Sequence, residues 1–121
     1  MASNAGFGDV NVVCVDVERS LAFYRDALGL DEVEREGVAV RLAVGSASLL
    51  LLPFASRPRP SGAYPGEATI SFDVVVDDLE ATVSRLEEAG GARVVNLDDG
   101  QGWAVADPDG NVIEVIQRPA P

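Results

Sequence analysis

Chemistry in this chain has to come from carboxylates. Asp9, Asp73 and Glu114, with the hydroxyl of Ser71, fall in or beside short apolar runs of alternating pattern, so each projects from one face of a predicted strand. Alternation sets Asn11 and Val13 beside Asp9, Ser71 and Val75 beside Asp73, and Val112 and Ile116 beside Glu114. Glu114 is suited to act as a general base, and three carboxylates on one face, with waters, suit a hard cation or an organic base. The chain has no histidine, which removes Ser-His and Cys-His nucleophilic pairs, imidazole metal ligands and the side chain that titrates near neutrality. Asp9, Glu114 and a weak hydroxyl fall short of the three convergent donors of a transition-metal site, so neither metal nor cofactor is expected.

The elements that must position these groups are legible from periodicity. Residues 10–15 are apolar and β-branched, a strand whose other face carries Cys14; the thiol should be inert and has no partner for an internal disulfide. Asp16 is a suitable N-cap for a helix over 16–28, with Val17, Leu21, Tyr24 and Leu28 at helical spacing, Phe23 alongside in the core, and Gly29 as its end. Val38, Val40, Leu42 and Val44 alternate with Ala39, Arg41 and Ala43, turn at Gly45-Ser46, and lead to the leucines of 49–52, a hairpin. Residues 56–66, rich in proline, cannot continue a ladder and read as a linker carrying Arg57, Arg59 and Tyr64.

Beyond the linker the pattern returns. Ile70, Phe72, Val74 and Val76 alternate with Thr69, Ser71, Asp73 and Val75, and Asp78 then opens a helix running to Ala89, closed by Gly90-Gly91. A shift of 62 residues superposes Asp16 on Asp78, Leu21 on Val83, Tyr24 on Leu86 and Gly29 on Gly91, an internal repeat. Strands over 92–96, 102–106 and 112–117, with a turn at Asp107-Pro108-Asp109-Gly110, complete it. The reading is an α+β single domain, 1–121, of two tandem βαβββ repeats, 8–55 and 67–118. Neither is large enough to bury both faces of its sheet, so they are expected to share a core and to leave a cupped cavity between their remaining faces.

Composition limits the partners. At 121 residues and 47% hydrophobic content the chain can build one core. Its net charge of −11 repels phosphate backbones and anionic headgroups, so neither nucleic acid nor a membrane surface is expected as partner. Residues 1–10 carry no secretory pattern and no segment is long and apolar enough to span a bilayer, which reads as soluble and cytoplasmic.

The segments VDVERSLAFYRDALGL (15–30), VVDDLEATVSRLEEAGG (75–91) and ADPDGNVIEVIQ (106–117) resemble the vicinal oxygen chelate superfamily, which includes glyoxalases, extradiol dioxygenases and bleomycin-resistance proteins. The resemblance implies paired βαβββ modules and four metal-ligand positions, usually His and Glu. Matched residue by residue, these fall on Asp9, on Leu50, on Ser71 and on Glu114, of which Glu114 alone is of the usual type. The expected function is metal-independent binding of a small molecule, a cationic or aromatic compound such as an antibiotic, by a homodimer. The alternative is a glyoxalase-type lyase or isomerase using Glu114 with a recruited divalent metal; a degenerate partner domain is a third reading. Ligand-binding candidates are Asp9, Asn11, Leu50, Tyr64, Ser71, Asp73, Trp103 and Glu114. Trp103 has two readings, a stacking platform or core filler.

Overall fold

The computed structural model describes residues 4–60, 64–66 and 70–121. Linker positions 61–63, the start of the second repeat at Glu67 and the strand position Thr69 lie outside the described residues. Two aspartates set the helices. Asp16, in extended conformation, accepts hydrogen bonds from the backbone N–H groups of Glu18 (2.9 Å) and Arg19 (3.4 Å) and opens α1 (Val17–Leu21). That helix continues through Ala22–Ala27 with wider winding, its hydrogen bonds reaching five residues back, as from Leu28 N–H to Phe23 C=O at 2.9 Å. The widening coincides with two consecutive aromatic residues, Phe23 and Tyr24, that are both fully buried and meet edge to face. Asp78 likewise caps α2 (Leu79–Glu88) through Ala81 N–H.

The first sheet comprises β1 (Val10–Val13), β2 (Asp31–Glu36), β3 (Ala39–Val44) and β4 (Ala47–Leu52) in the order β1-β4-β3-β2, with β1 parallel to β4. The second repeats that order as β5-β8-β7-β6, from β5 (Asp73–Val76), β6 (Ala92–Leu97), β7 (Gly102–Ala106) and β8 (Val112–Gln117). The βαβββ pattern therefore occurs twice. Strand β2, with sequence DEVERE, was not evident in the sequence: every residue in it is exposed, so no apolar alternation marks it. It forms by backbone pairing to β3, and its charges guard an open sheet edge. Several apolar residues assigned to strands lie outside them: Cys14 and Val15 follow β1, Val38, 62% exposed, belongs to the turn before β3, and Ile70, 87% exposed, and Phe72 precede β5.

Alternation otherwise holds. Val12, Leu42, Leu49 and Leu51 of the first sheet, Cys14 just after β1, and Val74, Ile113 and Val115 of the second sheet join Leu21, Phe23, Tyr24, Val83 and Leu86 of the helices in one core. Each such large side chain contributes on the order of 1.5–3 kcal/mol by leaving water. The two repeats thus meet through their helix-covered sides. The cavity expected between their other faces is not closed off: Asp9, Asn11, Val13, Leu50, Ser71, Asp73, Val75, Glu114 and Ile116 all keep solvent access. The β7–β8 turn adds polar contacts between repeats, with Asn111 Nδ2 donating to Val13 C=O (3.0 Å) and Val15 N–H donating to Asp109 Oδ1 (2.9 Å).

Candidate functional site

Each sheet carries one row of side chains across its open face, set by strand register. In the first sheet Asn11, Leu50 and Arg41 lie side by side on β1, β4 and β3. In the second, Asp73, Glu114 and Ala104 occupy the same places on β5, β8 and β7, with Ala104 fully covered. The two rows correspond position by position, and their chemistry is opposite: a guanidinium stands in one where a methyl stands in the other.

Arg41 is the residue that sequence reasoning missed. Its Nε and Nη2 donate to the two carboxylate oxygens of Asp9, each at 2.9 Å, a bidentate pair. Nη1 reaches Glu34 and Nη2 also reaches Glu36 at 3.2 Å. Ser48 donates its hydroxyl proton to Asp9 as well. The available signal was an arginine between buried Val40 and Leu42, which alternation turns onto the face of Leu50. On the second sheet the phenol of Tyr64 donates to Glu114, and the Ser71 hydroxyl donates to Val112 C=O at 2.9 Å.

Tertiary structure therefore brings Tyr64, Ser71, Asp73 and Glu114 together on the second sheet, and Asp9, Asn11 and Leu50 on the first. It does not bring Trp103 to either group. Trp103 is partnered with Val115, on the helix-facing side opposite Glu114, where the Arg93 guanidinium lies 4.9 Å from its ring centre. Arg93 in turn pairs with Glu80 and Glu87 of α2. Of the two readings of this residue, the indole packs against the core and under a cation, and it does not line the open face.

The donors do not fit the metal centre that the superfamily positions imply. Both oxygens of Asp9 are engaged by Arg41, Leu50 offers no lone pair, the Ser71 hydroxyl is turned to a backbone carbonyl, and one oxygen of Glu114 accepts the Tyr64 phenol, which leaves a single carboxylate of the usual type. A cation beside Asp9 would have to displace a guanidinium already held at two points. Among the described residues no group of three or more His, Cys, Asp or Glu side chains converges to hold a metal ion.

The Asp9 cluster has a consequence for acid stability. The hydrogen bond from Arg41, then that from Ser48, lowers the Asp9 carboxyl from its ordinary 3.8 to about 2. A carboxylate depressed in the folded state stabilises the fold above its unfolded value and loses that contribution as pH falls through the folded one. Stability is thus expected to decline between pH 4 and 2, and Asp9→Asn to make that decline shallower while lowering stability at neutral pH. Glu32, held at about 2 by Arg35 and Arg25, retains its own share in the variant. Urea titrations across this range check it; parallel curves for the two proteins would remove Asp9 from the account.

A family model of the glyoxalase-like domain matches residues 9–116. No curated protein matches. Among solved structures, hypothetical protein SA1046 from S. aureus is similar with a TM-score of 0.72, 20% identity and 96% of each chain covered. The trypanothione-dependent glyoxalase I of Leishmania major is similar at 0.71 and 21%, covering 90% of this chain and 84% of that one. TnmS3, an antibiotic-binding protein from Streptomyces sp. CB03234, aligns at 0.65 and 25%, covering 98% and 100%. With its twice-repeated βαβββ order and a family match across nearly its whole length, the chain belongs to the glyoxalase-like domain family of the vicinal oxygen chelate superfamily.

Proposed function

We propose that this protein is a metal-independent small-molecule-binding member of its family, a homodimer that sequesters a cationic or aromatic compound such as an antibiotic. The observation that carries the reading is the Asp9–Arg41 pair, which places the chain's own cation at the first superfamily metal position. Support also comes from the surrounding surface, where Leu50, Val75, Val112 and Ile116 are accessible apolar neighbours of a few polar groups, the usual make-up of a ligand site. TnmS3, similar over its whole length, is an antibiotic-binding protein.

Dimerisation is supported by large exposed apolar side chains away from the ligand surface, Phe7 at 87% and Phe54 at 69%, which a second copy would cover. Light scattering that gives a monomer mass at tens of micromolar would count against it. Among the described residues no helix is long and apolar enough to cross a membrane. The buried free thiol of Cys14 suits a reducing compartment, in keeping with a cytoplasmic protein.

Glu114, in mid-strand on β8, favours one second reading, a lyase or isomerase in which it acts as base with a recruited metal. Elemental analysis of protein purified without chelator separates the two. We expect no stoichiometric metal, and a ligand at ~100 times its dissociation constant should add ~2.7 kcal/mol to stability, read as a raised melting temperature. Bound zinc, nickel or iron, or a turnover abolished by Glu114→Gln, would replace the sequestration reading with the enzyme.

A further inference from the structure

The half of the open surface built on Glu114 differs from its counterpart in how its carboxylate is satisfied. In the first sheet a guanidinium covers Asp9. In the second, Arg41's register position is taken by Ala104, and the group that reaches Glu114 is the neutral phenol of Tyr64, delivered from the linker 50 residues away. Asp73 is the direct partner of Glu114 across the parallel β5–β8 pair. Like charges at directly paired positions of neighbouring strands are unfavourable. A phenol donates a hydrogen bond to Glu114 but brings it no positive charge. A cationic N–H donor does both, and charge-assisted hydrogen bonds are roughly twice as strong as neutral ones.

The phenol's own ionisation supports this description of the field. The bond to Glu114, then burial, raises the Tyr64 pKa, with the charges of Glu114 and Asp73 adding to the effect. The smaller part of that shift, which comes from the charges of Glu114 and Asp73, is the part that also favours a positive charge in the same place. Val75, Val112 and Ile116 border Glu114 and Asp73 on the same face, so an apolar body attached to that cation has a surface to lie against.

We propose that the ligand of this site carries a cationic N–H donor, an ammonium or amidinium, on a compact apolar body, and that it binds by taking the place of the Tyr64 phenol on Glu114. The proposal rests on the small-molecule-binding reading and names the chemistry of its ligand. Tyr64 then acts as a built-in competitor that weakens binding of anything unable to outbid a neutral hydrogen bond.

The test uses the intact protein, benzamidine as the cationic probe and benzamide as its neutral counterpart, with binding followed by calorimetry or by backbone amide shifts. Tyr64→Phe removes the competing donor and is expected to tighten benzamidine about 3- to 10-fold; Glu114→Gln is expected to weaken it at least about tenfold and to leave benzamide unchanged. Both side chains are partly exposed, and a thermal melt of each variant verifies the fold. Equal benzamidine affinity in wild type and Tyr64→Phe would overturn displacement while leaving the binding reading standing. Equal affinity for benzamidine and benzamide, insensitive to Glu114→Gln, would overturn the cationic ligand class. If neither probe binds any of the three proteins at millimolar concentration, and a broader thermal-shift screen also finds nothing, the small-molecule reading itself falls.

Discussion

Asp107→Ala is expected to lower the free energy of unfolding by about 3–5 kcal/mol, a large share of the stability of a domain this size. Asp107 is 4% exposed and its carboxylate is the hub of the contact between repeats. One oxygen accepts the backbone N–H groups of Asp109 and Asn111, each at 2.9 Å. The other accepts the Tyr24 hydroxyl at 2.7 Å and the Asn111 amide at 3.0 Å. Tyr24 comes from the first repeat and is itself fully buried, so alanine strands its hydroxyl away from water and removes the acceptor shared by the turn's backbone N–H groups and the Asn111 amide.

Tyr24→Phe should cost less, about 1–2 kcal/mol, because Asp107 keeps its other donors. Burial raises the Asp107 pKa, with the Tyr24 bond opposing it. A carboxyl raised in the folded state contributes most below its unfolded value and loses that contribution as pH rises through the folded one, so this clamp is not the part of the fold that mild acid attacks. Urea denaturation of both variants checks the ranking. If Asp107→Ala falls within about 1 kcal/mol of wild type, the turn does not hold the repeats together.

Gly91→Ala is expected to cost about 2–3 kcal/mol by overpacking. A methyl group at position 91 would lie 2.5 Å from Phe23 Cε2 and 2.9 Å from the backbone carbonyl oxygens of Ala106 and Leu86. The aromatic ring belongs to the other repeat and is fully buried, and the two carbonyls are fixed by the chain, so no neighbour can yield cheaply. Gly29→Ala offers the contrast: no atom lies within 4 Å of its added methyl, and the cost there comes only from a φ of +90°. Thermal melts should rank Gly91→Ala below Gly29→Ala. The reverse order would mean that backbone conformation, and not the approach of the two repeats, selects these glycines.

That comparison also refines the repeat. The shift of 62 residues places Gly29 on Gly91, whereas the glycine that closes α2 at positive φ is Gly90, at +97°. Sequence identity alone cannot distinguish a glycine needed for its backbone from one needed for its lack of a side chain, because the second requirement is imposed by atoms elsewhere in the chain. Asp107 and Asp109 illustrate the same point. Their spacing around Pro108 announces a turn, and only packing against Tyr24 and Ser20 makes them buried links between repeats.

Local physics was legible wherever one residue's preference or one element's period decides the outcome. The two N-cap aspartates, the burial of Cys14, Phe23 and Tyr24, and the alternation along each strand that turns Asn11, Asp73 and Glu114 away from their buried neighbours follow from capping chemistry and from periods of 3.6 and 2. The charged edge strand β2, the guanidinium on Asp9, the side of the sheet taken by Trp103 and the meeting of the repeats through their helices were settled by tertiary structure. Each depends on register or on contact between segments distant in sequence: a strand held only by its neighbour's backbone leaves no apolar period, and an arginine's partner is fixed by which strands lie side by side.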